Sequence, residues 1–311
     1  MLWRGRRASG NVVDRRGEGG ARRGGFGFPG MGGGGGGGFR FPGGMGGGGG
    51  LGGLGGRGGI VGLIIVVAVA LIFGGDFFGG GGGGTGTLSP GTTVDTQEQQ
   101  DLVEFVSVVL ADTEDVWHKV FQEANRNYDE PKLVLFTGAV DSACGYADAA
   151  VGPFYCPGDQ QVYLDLSFFE ELKRRFGAPG DFAQAYVIAH EVGHHVQQEL
   201  GIMTQVNELR SRASETEANE LSVRLELQAD CFAGVFANHT SELGNLEAGD
   251  IQEAMTAAAA IGDDKLQKDA TGTVRPDTFT HGTSAQRQKW FNAGYKGGKI
   301  TSCDTFTPAQ P

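Results

Sequence analysis

The stretch His190-Glu-Val-Gly-His-His195 decides the fold, because it lies in the middle of a segment with the apolar periodicity of an amphipathic helix. Residues four positions apart share one face of a helix, so His190 and His194 can present two imidazoles to one metal ion. Glu191 lies beside them as the candidate general base. This is the arrangement of zinc hydrolases, which also need a third protein ligand.

The third ligand is expected on a later helix. A metzincin would have glycine at position 197 and histidine at 200, but this chain has Gln197 and Leu200, which excludes that class. The segment 226–230 instead places two carboxylates one helical turn apart among mostly apolar neighbours. We predict that Glu226 binds the zinc ion, of which one is expected per chain. Asp230 would accept the N–H of a ligand histidine and so fix the tautomer of that ring. A ligand role for Asp230 and a solvated helix face are the alternatives.

Composition divides the chain into a glycine-rich N-terminal part and an ordinary folded part. The 311 residues include 57 glycines, most of them in the first 84 positions. We expect residues 1–57 to form a disordered Gly/Arg-rich tail, 79–94 a flexible linker and 304–311 a C-terminal tail. Residues 95–303 are long enough for one domain of ordinary size.

A membrane segment is predicted between the glycine-rich stretches. Ile60–Phe73 is apolar, and no charge occurs between Arg57 and Asp76, a length close to the roughly 20 residues that cross a bilayer as a helix. We therefore predict a transmembrane helix at 58–78, with a buried core helix as the alternative.

Charge predicts the orientation of that helix. Nine arginines and only two acidic residues precede position 58, whereas the whole chain has a net charge of −12. The positive-inside rule places the tail in the cytoplasm and the acidic domain outside it, so the expected location is the cell membrane with a single pass. The arginines also suit binding of RNA or anionic lipid, but no nucleic-acid partner is expected.

The four cysteines agree with export from the cytoplasm. None forms a CxxC pair, and an even number of cysteines outside the cytoplasm favours disulfides. Four cysteines can pair in three ways, and we favour the pairing that forms the two bonds Cys144–Cys156 and Cys231–Cys303. Buried free thiols are the alternative.

Periodicity and capping signals predict an α+β, mainly α fold with a small sheet, in the order found in zincin metallopeptidases. Helices are predicted at 96–111, 113–125, 182–200 and 208–238, after Ser167 and Asp250, and from Thr283 or Ser284 through Trp290. Strands are predicted at 132–136 and 161–166.

A donor for developing negative charge is the last part that peptide hydrolysis needs. The segment 281–287 offers His281, in a polar loop before a helix, and Arg287 six residues later. A lone loop histidine is usually only solvated. His195 points away from His194 around the helix, and we expect it to pack rather than to bind metal.

A family resemblance rests on motifs that run nearly end to end. They are Trp3-Arg-Gly-Arg-Arg7, Asn11-Val-Val-Asp-Arg-Arg16, Gly152-Pro-Phe-Tyr-Cys-Pro157, Val162-Tyr-Leu-Asp165 and the segments 189–197, 225–231 and 281–287. On these the chain resembles the YpfJ-like neutral zinc metallopeptidases. The resemblance implies a membrane-anchored zinc endopeptidase.

The expected metal site is also similar to that of the integral-membrane gluzincins that process prenylated proteins. They share an HExxH helix, a Glu-x-x-Ala-Asp helix for the third ligand, and a later histidine followed six residues on by arginine. This resemblance implies that His281 and Arg287 stabilise the transition state. Those enzymes have several membrane helices, so their substrate access is not carried over.

Two functions follow as hypotheses. The first is a membrane-anchored zinc endopeptidase that cleaves extracytoplasmic proteins or peptides. The alternative is a non-catalytic membrane protein whose zinc is structural and whose domain binds a partner or envelope component.

Overall fold

The computed structural model describes residues 1–18 and 96–307, which form a mainly helical α+β fold as predicted. The α-helices of this part of the chain are α1 (Gln97–Glu123), α2 (Ser167–Arg174), α3 (Asp181–Glu199), α4 (Ile202–Arg210), α5 (Glu215–Glu242), α6 (Asp250–Ala260), α7 (Asp263–Thr271) and α8 (Ser284–Gly297). The strands are β1 (Val12–Asp14), β2 (Lys132–Phe136), β3 (Ala139–Ser142), β4 (Gly145–Asp148), β5 (Phe154–Cys156) and β6 (Gln161–Asp165).

Four strands form a sheet in the order β1-β2-β6-β5. Strands β1 and β6 run parallel to β2, whereas β5 is antiparallel to β6. Strands β3 and β4 form a separate hairpin. The disulfide Cys144–Cys156 links this hairpin to β5, and Cys231–Cys303 links α5 to the residues after α8, so both predicted pairings are confirmed.

Helix α3 is enclosed by the rest of the domain. All residues from Phe182 to Gln197 are buried except Gln184, because α1, α5 and α6 pack around this helix. The fully buried Trp117 of α1 contacts Phe232 of α5, with ring centroids 5.4 Å apart. The helix that carries the two histidines is therefore held from several sides, as a precise metal site requires.

Two predicted helix boundaries differ from the structure. The predicted break at position 112 is absent, and α1 runs straight through it, because Asp112 is paired with Arg6 instead of capping a new helix. The single helix predicted at 208–238 is two helices. Ser214 and Glu217 form a capping box that starts α5, and α4 ends before it.

The prediction of a disordered tail over residues 1–57 was wrong for its first 18 residues. Strand β1 pairs with β2, and the Ser9 N–H donates to the Ser107 carbonyl oxygen at 2.9 Å. The Trp3 ring packs edge-on against Phe105, with centroids 5.5 Å apart. Residues 1–18 are thus part of the folded domain.

The predicted transmembrane helix is not supported by the structure. Within residues 1–18 and 96–307, no helix is both long enough and apolar enough to cross a membrane. The predicted span 58–78, like the predicted linker 79–94, lies outside the described residues.

Candidate metal and catalytic site

Three predicted ligands meet between α3 and α5. The Nε2 atom of His190 lies 3.2 Å from Glu226 Oε2, and the Nε2 atom of His194 lies 3.4 Å from Glu226 Oε1. One ligand atom from each of the three residues falls within 4.8 Å of the others. All three side chains are buried, so the cluster is the strongest candidate for a metal site in the described residues.

A close helix contact brings these ligands together. At Gly193, inside the HExxH segment, an added Cβ would lie 3.1 Å from the carbonyl oxygen of Ala229. A side chain at this position would fit only if α5 gave way by a few tenths of an ångström. The backbones meet between Glu226 and Asp230, which aims both carboxylates at the histidines.

The second nitrogen of each ligand histidine also has a partner. His190 Nδ1 lies 2.9 Å from Asp230 Oδ1, and His194 Nδ1 lies 2.8 Å from Gln197 Oε1. The Gln197 amide is itself fixed, because its nitrogen donates to the Leu225 carbonyl oxygen at 2.6 Å. An acceptor at each Nδ1 leaves both Nε2 atoms for the metal.

The carboxylates around the cluster favour positive charge there. Burial lowers the pKa of His190, but Asp230 and Glu226 outweigh burial and raise the pKa to about 10. Burial would raise the pKa of Glu226, but His194 and His190 hold that pKa well below its ordinary value. Glu226 is therefore an anion, as a zinc ligand must be.

Arg287 binds Asp230 rather than standing alone in the site. Its Nε donates to Asp230 Oδ2 at 2.8 Å and its Nη2 to Oδ1 at 2.9 Å. Burial lowers the pKa of Arg287, but Asp230 outweighs it and keeps the pKa well above its ordinary value. The Tyr186 hydroxyl donates to Asp230 Oδ1 at 2.5 Å. Arg287 and Tyr186 thus hold the carboxylate that orients His190, a role for Tyr186 that sequence reasoning missed.

Glu191 has an unpaired buried oxygen. Its Oε2 is buried and has no hydrogen-bond partner, and the side chain lines the same cavity as His190. Burial raises the pKa of Glu191, only partly offset by His190 and His194. A carboxylate with a raised pKa and a free oxygen is suited to accept a proton.

His281 is buried and positioned by Asp263. Its Nδ1 lies 3.1 Å from Asp263 Oδ1, and Asp263 Oδ2 accepts the backbone N–H groups of Thr280, His281 and Gly282. Burial lowers the pKa of His281, but Asp263 outweighs it and raises the pKa above its ordinary value. No motif in the sequence marks Asp263 as part of the site.

His195 packs away from the cluster, as expected. Its Nε2 lies 2.6 Å from the Asp129 carbonyl oxygen and its Nδ1 lies 3.1 Å from the Tyr155 hydroxyl. Burial lowers its pKa. This residue therefore joins α3 to its surroundings and supplies no third imidazole to the metal cluster.

A cavity of about 410 Å³ opens beside the cluster. It is lined at one end by His190, Glu191, Glu226 and His281 and continues between α2 and α7. This volume lies within the range of about 300–1,000 Å³ that small-ligand sites occupy. The cluster is thus open to a substrate on one side.

The donor set suits zinc. Two imidazole nitrogens and one carboxylate oxygen are the three protein ligands of many catalytic zinc sites, and the adjacent cavity leaves room for a further ligand. The partnered Nδ1 atoms and the anionic Glu226 support the same assignment. Fold and site together are those of an HExxH metallopeptidase in which Glu226 is the candidate third ligand.

Comparison with known proteins agrees with this class. The family model Zn_peptidase, described as "Putative neutral zinc metallopeptidase", matches residues 38–306, and the chain belongs to this family.

Curated relatives extend over most of the chain. YpfJ of Escherichia coli is 46% identical over 307 residues, which cover 98% of this chain and 99% of the relative. Mb2605 of Mycobacterium bovis is 42% identical over 220 residues, which cover 67% of this chain and 73% of the relative. No solved structure matches the chain.

Proposed function

We propose that this protein is a zinc-dependent endopeptidase that cleaves proteins or peptides outside the cytoplasm. The proposal rests on the buried cluster of His190, His194 and Glu226, which lies beside a cavity also lined by Glu191, whose Oε2 has no hydrogen-bond partner. His190, His194 and Glu226 would hold a zinc ion there, which would supply Lewis-acid chemistry to the substrate carbonyl and to water.

The residues of the chain supply the proton transfers. The free Oε2 of Glu191 accepts a proton from the attacking water and then delivers it to the leaving amine. Its raised pKa supports both steps, because a carboxyl group whose pKa is shifted toward neutral pH can take up a proton and release it again.

His281 is the proposed donor to the substrate carbonyl oxygen. It lines the cavity, and its Nδ1 is engaged by Asp263, so Nε2 is the nitrogen left to donate. Because Asp263 raises its pKa, the imidazolium form persists to higher pH and can stabilise the negative charge that develops on that oxygen. Arg287, bound to Asp230, acts by positioning.

Both disulfides support a location outside the cytoplasm. Cys144–Cys156 and Cys231–Cys303 use all four cysteines of the chain, and such bonds persist in oxidising compartments.

The alternative function, a structural zinc site in a binding protein, explains less of this geometry. Structural zinc sites are closed, with four protein ligands. The cluster described here has three, and its open side faces the cavity that contains Glu191.

Metal content and cleavage of casein by the full chain test the proposal. We expect Glu191→Gln to retain zinc but to lose about 10²–10⁴-fold in cleavage rate, the usual contribution of a general base. Glu220→Gln, which alters an exposed glutamate on α5, serves as the matched control and should cleave at the wild-type rate. Zinc binding without cleavage by the wild type, or cleavage unaffected by Glu191→Gln, would reject the enzyme and favour the structural role.

A further inference from the structure

The cavity beside the metal cluster extends well past the catalytic residues. Its far part lies between two walls, one formed by α2 and residues 150–153 and the other by α7. Val187 of α3, one turn before Glu191, is also part of the lining. The cavity therefore offers a substrate more surface than the reacting groups alone.

The lining of this far part is apolar. Val151 and Val187 are buried, with 7% and 5% of their surface exposed. The aromatic rings of α2 and its C-terminal side, Phe168 and Phe176, lie with centroids 6.3 Å apart. The side chains that form this apolar lining are Val151, Phe168, Phe176, Val187, Ile261 and Leu266.

The charged groups of the lining balance in sign. Lys265 and Asp269 of α7 are both on the wall and pair with each other at 2.6 Å. Glu171 of α2 and Arg175, the residue just after α2, add one charge of each sign on the opposite wall. The far part thus carries no excess charge that would attract an acidic or basic side chain, and a charged side chain placed among the apolar groups would lose its hydration.

We propose that this part of the cavity binds a bulky apolar side chain next to the scissile bond, so that the substrates are peptides with leucine, phenylalanine or a similar residue at that position. The proposal rests on the proposed function, because it assumes that the cluster at the end of the cavity is where the peptide bond is cleaved. Leu266 is the residue expected to set this preference from the α7 wall.

Peptides that differ only at one central residue test the proposal. The full chain with zinc is assayed on a series with leucine, phenylalanine, alanine, aspartate or lysine at the centre, and each cleavage site is located by mass spectrometry. We expect kcat/KM for the leucine and phenylalanine peptides to exceed that for alanine at least about tenfold, as loss of a few methylenes from an apolar pocket requires. Equal rates across the series would overturn the proposal.

Binding measurements with the same peptides separate a failure of the apolar-site proposal from a failure of the endopeptidase proposal. Zinc-loaded Glu191→Gln protein is titrated with fluorescent versions of the leucine and alanine peptides, and the dissociation constants are compared. If no peptide is cleaved by the wild type, the endopeptidase proposal fails, but tighter binding of the leucine peptide would still support the apolar site. Equal binding of both peptides would reject that site.

Leu266→Asp places a charge on the α7 wall. Leu266 lies outside the main hydrophobic core and is only half-buried, so the fold should tolerate the change. We expect this variant to lose most of the preference for leucine over alanine in kcat/KM. The matched control is Leu209→Asp, because Leu209 is 57% exposed on α4 and is not part of the cavity lining. A wild-type preference in Leu266→Asp would contradict the proposal.

Discussion

Glu226 and Asp230 stand one helical turn apart, yet they contact different nitrogens of the same histidine. Glu226 approaches the Nε2 atom of His190, whereas Asp230 approaches its Nδ1 atom. The two carboxylates are therefore placed for separate roles, Glu226 at the candidate metal site and Asp230 beside the other nitrogen of the ring.

Zinc affinity should separate these roles. We expect Glu226→Ala to lower zinc affinity more than Asp230→Asn, whose loss should be about 10–100-fold, as for other residues that orient a ligand. Affinity is measured by competition with a chelator, with Glu220→Gln as the control. Full zinc retention in Glu226→Ala would transfer the ligand role to Asp230.

Asp263 should control the protonation of His281. Because its carboxylate raises the pKa of His281 against the effect of burial, Asp263→Asn is expected to lower that pKa. The pKa is followed by NMR titration of the His281 ring, and the alkaline limb of kcat/KM should move to lower pH in the same variant. Glu104→Gln, an exposed change on α1 that is not part of the cavity lining, should leave the His281 pKa unaltered. An unchanged titration in Asp263→Asn would show that His281 is protonated for another reason.

The sequence predicted which residues cluster at the candidate metal site but not all of the residues that position them. His190, His194, Glu226 and Asp230 follow helical spacing, which sequence displays directly. Asp263 lies 18 positions before His281 and acts through backbone N–H groups, so no periodic pattern marks it.

Helix α8 packs almost backbone to backbone against α5. A Cβ on Gly294 would lie 1.9 Å from the carbonyl oxygen of Cys231, and one on Gly234 would lie 2.0 Å from that of Phe291. These two glycines allow the close approach through which Arg287, on α8, reaches Asp230 on α5.

Gly294→Ala should therefore disturb both stability and the site. The added methyl group must push α8 away from rigid backbone, and we expect a loss of about 1–3 kcal/mol in the free energy of unfolding. Zinc affinity should fall as well, because Arg287 would move with α8. Urea unfolding and chelator competition provide the two measurements. Gly17→Ala, where an added Cβ meets nothing within 4 Å, is the control. Unfolding at the wild-type urea concentration would refute the packing argument.

Helix boundaries show why local signals mislead at the level of elements. The N-cap residue of α3 is Gly180, which has no side chain to cap the helix, and Glu253 of α6 accepts the Phe182 N–H at 3.1 Å. A carboxylate 71 positions away thus performs the task of a neighbouring capping side chain. Ser214 and Thr283, by contrast, cap α5 and α8 through residues three positions on, where local sequence is sufficient.

At the scale of the molecule, the first 18 residues belong to the domain that begins nearly 80 residues later. Arg6 makes two hydrogen bonds to the buried Asp112, at 2.6 and 2.7 Å, and Arg7 pairs with Glu114 at 3.1 Å. Sequence reasoning missed β1, because a three-residue strand has little periodicity of its own and its partner β2 lies about 120 positions away.

These contacts give several of the N-terminal arginines a structural role within the fold. Five of the nine arginines before position 58 form ion pairs within residues 1–18 and 96–307, namely Arg4, Arg6, Arg7, Arg15 and Arg16. Their positive charge complements acidic groups of the fold, so it is weak evidence for a separate cytoplasmic tail. We therefore expect residues 1–18 and the metallopeptidase domain to lie in one compartment.

Thiol labelling tests this arrangement in cells. All four natural cysteines are in disulfides, so Arg4→Cys and Leu209→Cys each add one exposed thiol, the first in the N-terminal segment and the second on α4. Both variants are treated with a membrane-impermeant maleimide before and after lysis of spheroplasts, with the unsubstituted chain as the unlabelled control. Because β1 is hydrogen-bonded into the sheet of the domain, both thiols should react under the same condition. Labelling of one thiol in intact spheroplasts and of the other only after lysis would mean that the two parts lie on opposite sides of a membrane. That outcome would contradict the pairing of β1 with β2 in one chain.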